Sequence, residues 1–157
     1  MGHVFTIRPA TPEDAERIHE LHTNSVQALG KDHYSSEQIT GWLKNRTPQG
    51  YLAGIESGEM FVVVEGEQIV GFGHAVPGEV MAVYVDPERV RRGVGQAILV
   101  EGITRARKGH QGAVRLDATL NAQNFYEKTG FVEVERKVVK RNEVLLPLVV
   151  MELREEI

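Results

Sequence analysis

Several features are missing from this 157-residue sequence, and each absence excludes a class of protein. There is no cysteine, which excludes disulfides, thiolate metal sites and covalent cysteine intermediates. No apolar run reaches the roughly 18 residues that a membrane-spanning helix requires. The first residues lack the basic and apolar segments of a secretory signal. We therefore expect a protein of the cytoplasm with no membrane partner.

The charge of the chain is unevenly distributed. The net charge is −4, yet residues 88–108 hold six basic and two acidic side chains, a local +4 that leaves −8 for the rest. We interpret this segment as a site for an anionic ligand. No basic stripe with interleaved aromatic residues occurs, so we expect no nucleic-acid partner. The length predicts a single domain over residues 1–157.

Hydrophobic periodicity predicts the element order β, α, α, β, β, β, α, β, α, β, β. Strands over 60–65, 69–76 and 80–85 are joined by short turns, whereas helices over 93–108 and 122–129 separate later strands. Residues 47–58 are predicted to be mainly loop, and Pro147 is expected near a strand start or at a sheet edge. This order predicts an α/β (α+β) fold, a mixed and mostly antiparallel central sheet of about seven strands with helices on both faces.

The first helix is predicted to bury one side. Its apolar spacing places Ala15, Ile18, Leu21, Ser25 and Leu29 toward the core. His19 and His22 lie one helical turn apart, with His33 nearby, but no third convergent metal ligand can be located. We therefore interpret these histidines as surface residues and expect no metal.

The most informative segment is the turn that contains Gly93 and Gly95. It follows the strand over 80–85 and opens a helix, so backbone N–H groups without partners and the helix dipole form an anion site. Arg91 and Arg92 add positive charge, which suits a phosphate or pyrophosphate. The alternative is a tight turn with solvated arginines. A P-loop is excluded because no Gly-Lys-Ser/Thr occurs, and Ile98 stands where the dinucleotide fingerprint needs its third glycine.

Two segments, in order, resemble the GNAT superfamily of N-acetyltransferases. Residues 90–95 (VRRGVG) follow that family's acyl-CoA pattern of Gln or Arg, two residues, Gly, one residue, then Gly or Ala. Residues 121–131 (NAQNFYEKTGF) resemble its common ending. Val90 stands where the pattern has Gln or Arg, and Arg89 lies one position earlier. Either Arg91 and Arg92 supply the positive charge, or the loop is locally shifted. Thr119 stands where many members have Asn, with Asn121 two residues on.

The resemblance implies an acetyl-CoA-dependent N-acetyltransferase. The acetyl group would pass to a primary amine of a small molecule or peptide by direct attack in a ternary complex, without a covalent enzyme intermediate. The alternative is a non-catalytic CoA-binding or sensing module on the same fold. Many members of the family dimerise, which makes the last two strands a candidate homodimer contact.

The resemblance also implies roles for individual residues. Tyr126 is the candidate general acid, the alternative being helix-to-sheet packing, and Glu79 is the candidate base, with His74 as its rival. Acceptor contacts are expected from the first helices and their loop, at His33, Tyr34 and Trp42, with His74 as a further candidate, although Trp42 also suits the core. The cofactor contacts are expected at Val83, Tyr84, Val85, Arg91, Arg92, Gly93, Val94, Gly95, Gln96, Asn121 and Tyr126.

Overall fold

The computed structural model describes residues 4–90 and 92–154, which contain seven strands and five α-helices. The strands are β1 (Thr6–Pro9), β2 (Met60–Glu65), β3 (Gln68–Val76), β4 (Glu79–Val85), β5 (Val114–Ala118), β6 (Val132–Arg141) and β7 (Val144–Leu153). The helices are α1 (Ala15–Leu29), α2 (Ser36–Leu43), α3 (Leu52–Glu56), α4 (Val94–Arg107) and α5 (Gln123–Glu127). Within the described part of the chain, no helix has the length and apolar character needed to cross a membrane.

All seven strands form one sheet in the order β1-β2-β3-β4-β5-β7-β6. Every neighbouring pair is antiparallel except β4 and β5, which are parallel. The antiparallel pairs at β2-β3 and β3-β4 are the hairpins expected from the short turns. The connection through α4 makes β5 parallel to β4, because the helix carries the chain back to the end of the sheet at which β4 began.

Helices cover both faces of the sheet. One core lies between the sheet and α4 and α5, where alternate residues of β5 pack against Leu99 and Ile103. The other lies under α1, where Ile18 and Leu21 contact β2 and β3. Gly71 in β3 lets α4 approach closely, because a Cβ there would stand 2.7 Å from Ile98. The mixed, mostly antiparallel sheet with helices on both faces confirms the predicted fold.

Three local expectations can be compared with the structure. Leu29 is exposed, so its assignment to the buried side of α1 was wrong, since the helix ends there at Gly30. Residues 47–58 contain a 3₁₀ turn (Pro48–Tyr51) and α3, in addition to loop. Pro147 lies near the start of β7, where β7 pairs with β6 only, which is a position that tolerates proline in a strand.

Candidate functional site

Strands β4 and β5 separate soon after they meet. Their parallel pairing is recorded at one position, Glu79 with Arg115. Beyond it the register of β4 against β3 shifts, with Ala75 opposite Val80 and His74 opposite Ala82, so Met81 forms a bulge. A bulge bends its strand and increases the local twist. The second half of β4 therefore has β3 on one side and an open gap on the other.

The gap runs toward the first turn of α4. Gly93 precedes that helix with φ +86°, a left-handed conformation that glycine adopts without steric cost. The first helical hydrogen bond is donated by Ala97 to the Gly93 carbonyl over 3.0 Å. The amides of Val94, Gly95 and Gln96 consequently have no acceptor within the helix, and the N-cap residue, Gly93, has no side chain that could cap them. Three N–H donors at the positive end of a 14-residue helix form a site that suits phosphate oxygens.

The arginines of this loop have different roles. Arg89 is held by the β2-β3 hairpin, where it pairs with Glu65 at 3.3 Å and donates to Gln68 at 2.9 Å. Arg92 is 3.8 Å from Glu65 and keeps a side-chain exposure of 36%. Arg91 lies outside the described residues. Arg92 is thus the described cation best able to reach a bound anion, while Arg89 anchors the loop.

Tyr126 lies in α5, on the other side of the gap. Its ring is 7% exposed and packs between Phe125 and Phe131, with ring centroids 5.2 and 5.9 Å away. Burial raises the pKa of Tyr126, and the nearby Tyr84 adds to that rise. The phenol therefore stays neutral and keeps its proton at physiological pH. Asn121 is half-buried in the 3₁₀ turn (Leu120–Ala122) that leads into α5.

The two candidate bases lie on adjacent strands. Glu79 is half-buried at the point where β4 meets β5, and its carboxylate has no ion-pair partner among residues 4–90 and 92–154. His74 instead has its Nε2 2.8 Å from Glu59 at the start of β2. This hydrogen bond is the main cause that lowers the pKa of Glu59. His74 is therefore already engaged by a carboxylate, whereas Glu79 is available.

The expected acceptor-side residues differ in exposure. His33 is exposed and Trp42 is half-buried, with its ring edge toward Tyr34 at a centroid distance of 5.5 Å. Tyr34 is 4% exposed, and its hydroxyl donates to the Pro147 carbonyl at 2.7 Å and accepts from the Leu120 amide at 3.0 Å. Tyr34 thus ties the α1-α2 loop to β7 and to the turn before α5. Nothing in the sequence pattern indicated this structural role.

One buried polar cluster was not predicted. His22 is 7% exposed, so its interpretation as a surface residue was wrong. Its Nδ1 contacts the Tyr51 hydroxyl and the guanidinium of Arg46, and its ring lies 4.0 Å from that of Tyr84. The spacing of His22 to Ile18 could have revealed this position, since i and i+4 share a helix face. No comparable sequence pattern pointed to Arg46, which lies in the loop after α2, or to Tyr51, which ends the 3₁₀ turn that follows this loop.

The described residues include no group of three or more metal-binding side chains. The site is therefore built from backbone amides, hydroxyls, guanidiniums and single carboxylates. Such a set can bind an anionic ligand along α4 and β4, hold a neutral phenol beside it, and offer a carboxylate as a proton acceptor.

Comparison with known proteins places this geometry in context. A family model of the acetyltransferase (GNAT) domain matches residues 31–154. An uncharacterized N-acetyltransferase of Escherichia coli, YafP, is 27% identical over 134 residues, which cover 85% of each chain. A solved structure from Rhodopseudomonas palustris, described as a GCN5-related N-acetyltransferase, aminotransferase class II, is 26% identical, covers 99% of each chain and has a TM-score of 0.91.

A second solved structure is the PaiA N-acetyltransferase of Thermoplasma acidophilum in complex with coenzyme A. It is 20% identical and covers 97% of this chain and 99% of its own, with a TM-score of 0.78. At this identity the similarity is one of fold.

Proposed function

Because the chain belongs to the GNAT family of acetyltransferases, we propose that it uses acetyl-CoA to acetylate a primary amine on a small molecule or peptide. The proposal adds direct attack of the amine within a ternary complex. The observation that carries it is the first turn of α4, whose amides lack acceptors within the helix and lie next to the open half of β4.

The residues at this opening fit the chemistry of CoA. The amides of Val94, Gly95 and Gln96, with Arg92, would hold its pyrophosphate, because N–H donors and a guanidinium both favour anionic oxygens. Arg91, Asn121 and Tyr126 stay candidate contacts of the same ligand. The backbone of Val83, Tyr84 and Val85 borders the gap and would pair with the amide groups of the pantetheine arm. Acetyl-CoA supplies the acetyl group activated as a thioester.

Side chains of this protein have to carry out two proton transfers, one from the acceptor amine and one to the leaving sulfur. An amine is protonated at neutral pH and must lose a proton before it can attack, which a general base promotes. We assign this role to Glu79, since its carboxylate is available, and keep His74 as the alternative. Tyr126 holds a proton at its Oη for the leaving sulfur. A backbone N–H on the open side of β4 would stabilise the charge that develops on the acetyl oxygen.

The first test is calorimetric titration of the purified protein with acetyl-CoA, with ATP and NAD as controls. We expect binding of acetyl-CoA alone, followed by release of free thiol when an acceptor amine is added. Binding of ATP or NAD in preference to acetyl-CoA would contradict the proposal, and so would the absence of binding at near-millimolar acetyl-CoA. Binding without turnover for any amine, unchanged in Tyr126→Phe, would identify a CoA-sensing module instead.

A further inference from the structure

Arg46 has no acidic partner in the part of the chain that the structure describes. Other arginines such as Arg8, Arg17, Arg105 and Arg136 pair with carboxylates at 2.5–3.0 Å. Among residues 4–90 and 92–154, the side chain of Arg46 forms hydrogen bonds only to His22 and Tyr51. Its Nε is buried without a partner. A guanidinium carries five donors, so this one retains unused hydrogen-bonding capacity.

The groups around Arg46 do not balance its charge. Burial lowers the pKa of His22 well below its usual value, and the charge of Arg46 lowers it further, so the imidazole is neutral. Burial raises the pKa of Tyr84 to about 12, which keeps that hydroxyl neutral as well. A partly buried cation without a counter-ion is unfavourable, because desolvation is not offset by pairing. A ligand with an anionic group would supply the missing charge.

The cluster borders the reaction site. The His22 ring lies 4.0 Å from that of Tyr84, whose backbone lines the open half of β4. Arg46 and Arg141 both act against the rise in the pKa of Tyr84, so the two guanidiniums lie within electrostatic range of its hydroxyl. Tyr84 is in turn close enough to Tyr126 to raise the pKa of that phenol. Because α1 and α4 pack on opposite faces of the sheet, Arg46, which contacts His22 of α1, lies on the face opposite α4.

A further cation lies near this face. The side-chain amide of Asn142, at the β6-β7 turn, donates to the Gly41 and Lys44 carbonyls and so holds that turn beside the loop that carries Arg46. Arg141 directly precedes this turn, is exposed and forms no ion pair within the described ranges. Its guanidinium, like that of Arg46, favours an anionic acceptor over a cationic one.

We propose that the acceptor amine also carries an anionic oxygen group, a carboxylate or a phosphate, and that Arg46 binds this group. This inference rests on the proposed function and names its substrate class. The planar guanidinium matches the two oxygens of a carboxylate or phosphate. Arg46 would bind and orient the acceptor, and Arg141 would attract it toward the site.

The test compares amines that differ only in charge. Each α-amino acid is compared with its carboxamide, and O-phosphoethanolamine with ethanolamine, by kcat/KM for thiol release from acetyl-CoA. We expect the wild type to prefer the anionic member of at least one pair by roughly ten- to a hundredfold, the contribution typical of a hydrogen bond to a charged group. The amino-acid and phosphate arms distinguish the two kinds of anion. Equal kcat/KM within every pair would overturn the proposal.

Variants then assign the preference to one side chain. Arg46→Gln should abolish the preference for the anionic amine, and Arg46→Lys should retain part of it. Arg154→Gln, which removes a 63% exposed guanidinium paired with Glu152, is the matched control and should retain it fully. A preference that persists in Arg46→Gln would overturn the proposal.

A binding measurement separates this inference from the proposed function. The wild type and Arg46→Gln are titrated calorimetrically with N-acetylglycine and N-acetylglycinamide, and with N-acetylated phosphoethanolamine and N-acetylethanolamine. Tighter binding of an anionic compound that is lost in Arg46→Gln would support the inference even if no amine is acetylated. If acetyl-CoA does not bind, the proposed function is wrong, but the inference about Arg46 is not affected. Equal binding within both pairs, or no binding of any of the four compounds at millimolar concentration, would overturn the role of Arg46.

Discussion

Replacing Gly93 by alanine tests the anion site at α4 most directly. Gly93 has φ +86°, and apart from its chain neighbours no atom of the described residues lies within 4 Å of a Cβ added to it. The substitution therefore adds backbone strain of about 1–2 kcal/mol without a clash inside the protein. The new methyl group would lie in open space, one residue before the three amides. We expect acetyl-CoA to bind roughly ten- to a hundredfold more weakly, the effect of weakening one or more charge-assisted hydrogen bonds.

Gly109, beyond the other end of α4, supplies the control. It also has a positive φ, +69°, and open space around the position of a Cβ. Gly109→Ala should lower the melting temperature by a similar amount, roughly 2–8 °C for both variants, because the strain is of the same kind. Calorimetric titration and thermal unfolding of both variants provide the comparison. If acetyl-CoA bound equally well to the two variants, Gly93 would not border the pyrophosphate and the reasoning would be refuted.

Three further predictions concern titratable groups. Tyr126→Phe should lower kcat by roughly 100-fold, typical of a lost general acid, with little effect on acetyl-CoA affinity; an unchanged kcat would remove Tyr126 from that role. Glu79→Gln should depress the rate most at low pH, where free amine is scarce, and a pH–rate profile that shifts in His74→Asn instead would identify His74 as the base. Because the folded state lowers the pKa of His22, the unfolded chain binds its proton first, so stability present above about pH 6.5 should decline as the pH falls further. Urea unfolding between pH 7.5 and 5 checks this, and His22→Gln should weaken that dependence; an unaltered slope would show that other groups cause it.

Local patterns in the sequence were sufficient to predict much of this protein. Strand alternation and short turns predicted the hairpins of β2, β3 and β4, and the helical period predicted α1 and α4. The segment from β4 into α4 predicted the free amides at the start of that helix, because glycine conformation and unpaired N–H groups at a helix start depend on neighbouring residues only. For the same reason the two family motifs could be recognised without any knowledge of side-chain contacts.

Other features depended on contacts between residues far apart in the chain. The separation of β4 from β5 arises where a helix returns the chain to the sheet and a bulge bends β4, which no short pattern indicates. The loop cation Arg89 is held by Gln68 in the hairpin and is not directed at the anion site. Tertiary packing decides which partner a long side chain contacts, and the sequence does not distinguish between the possible partners.

The candidate acceptor site shows the same division most clearly. The resemblance to the GNAT family led to the prediction that the first helices and their loop face the acceptor, with Tyr34 among the contacts. Tertiary structure decided that the hydroxyl of Tyr34 joins β7 and α5, and that His22 and Arg46 meet beside Tyr84. The physical reason is that a neutral buried imidazole and an unpaired guanidinium acquire their properties from desolvation, which exists only once the α1 and α2 regions have packed against the sheet.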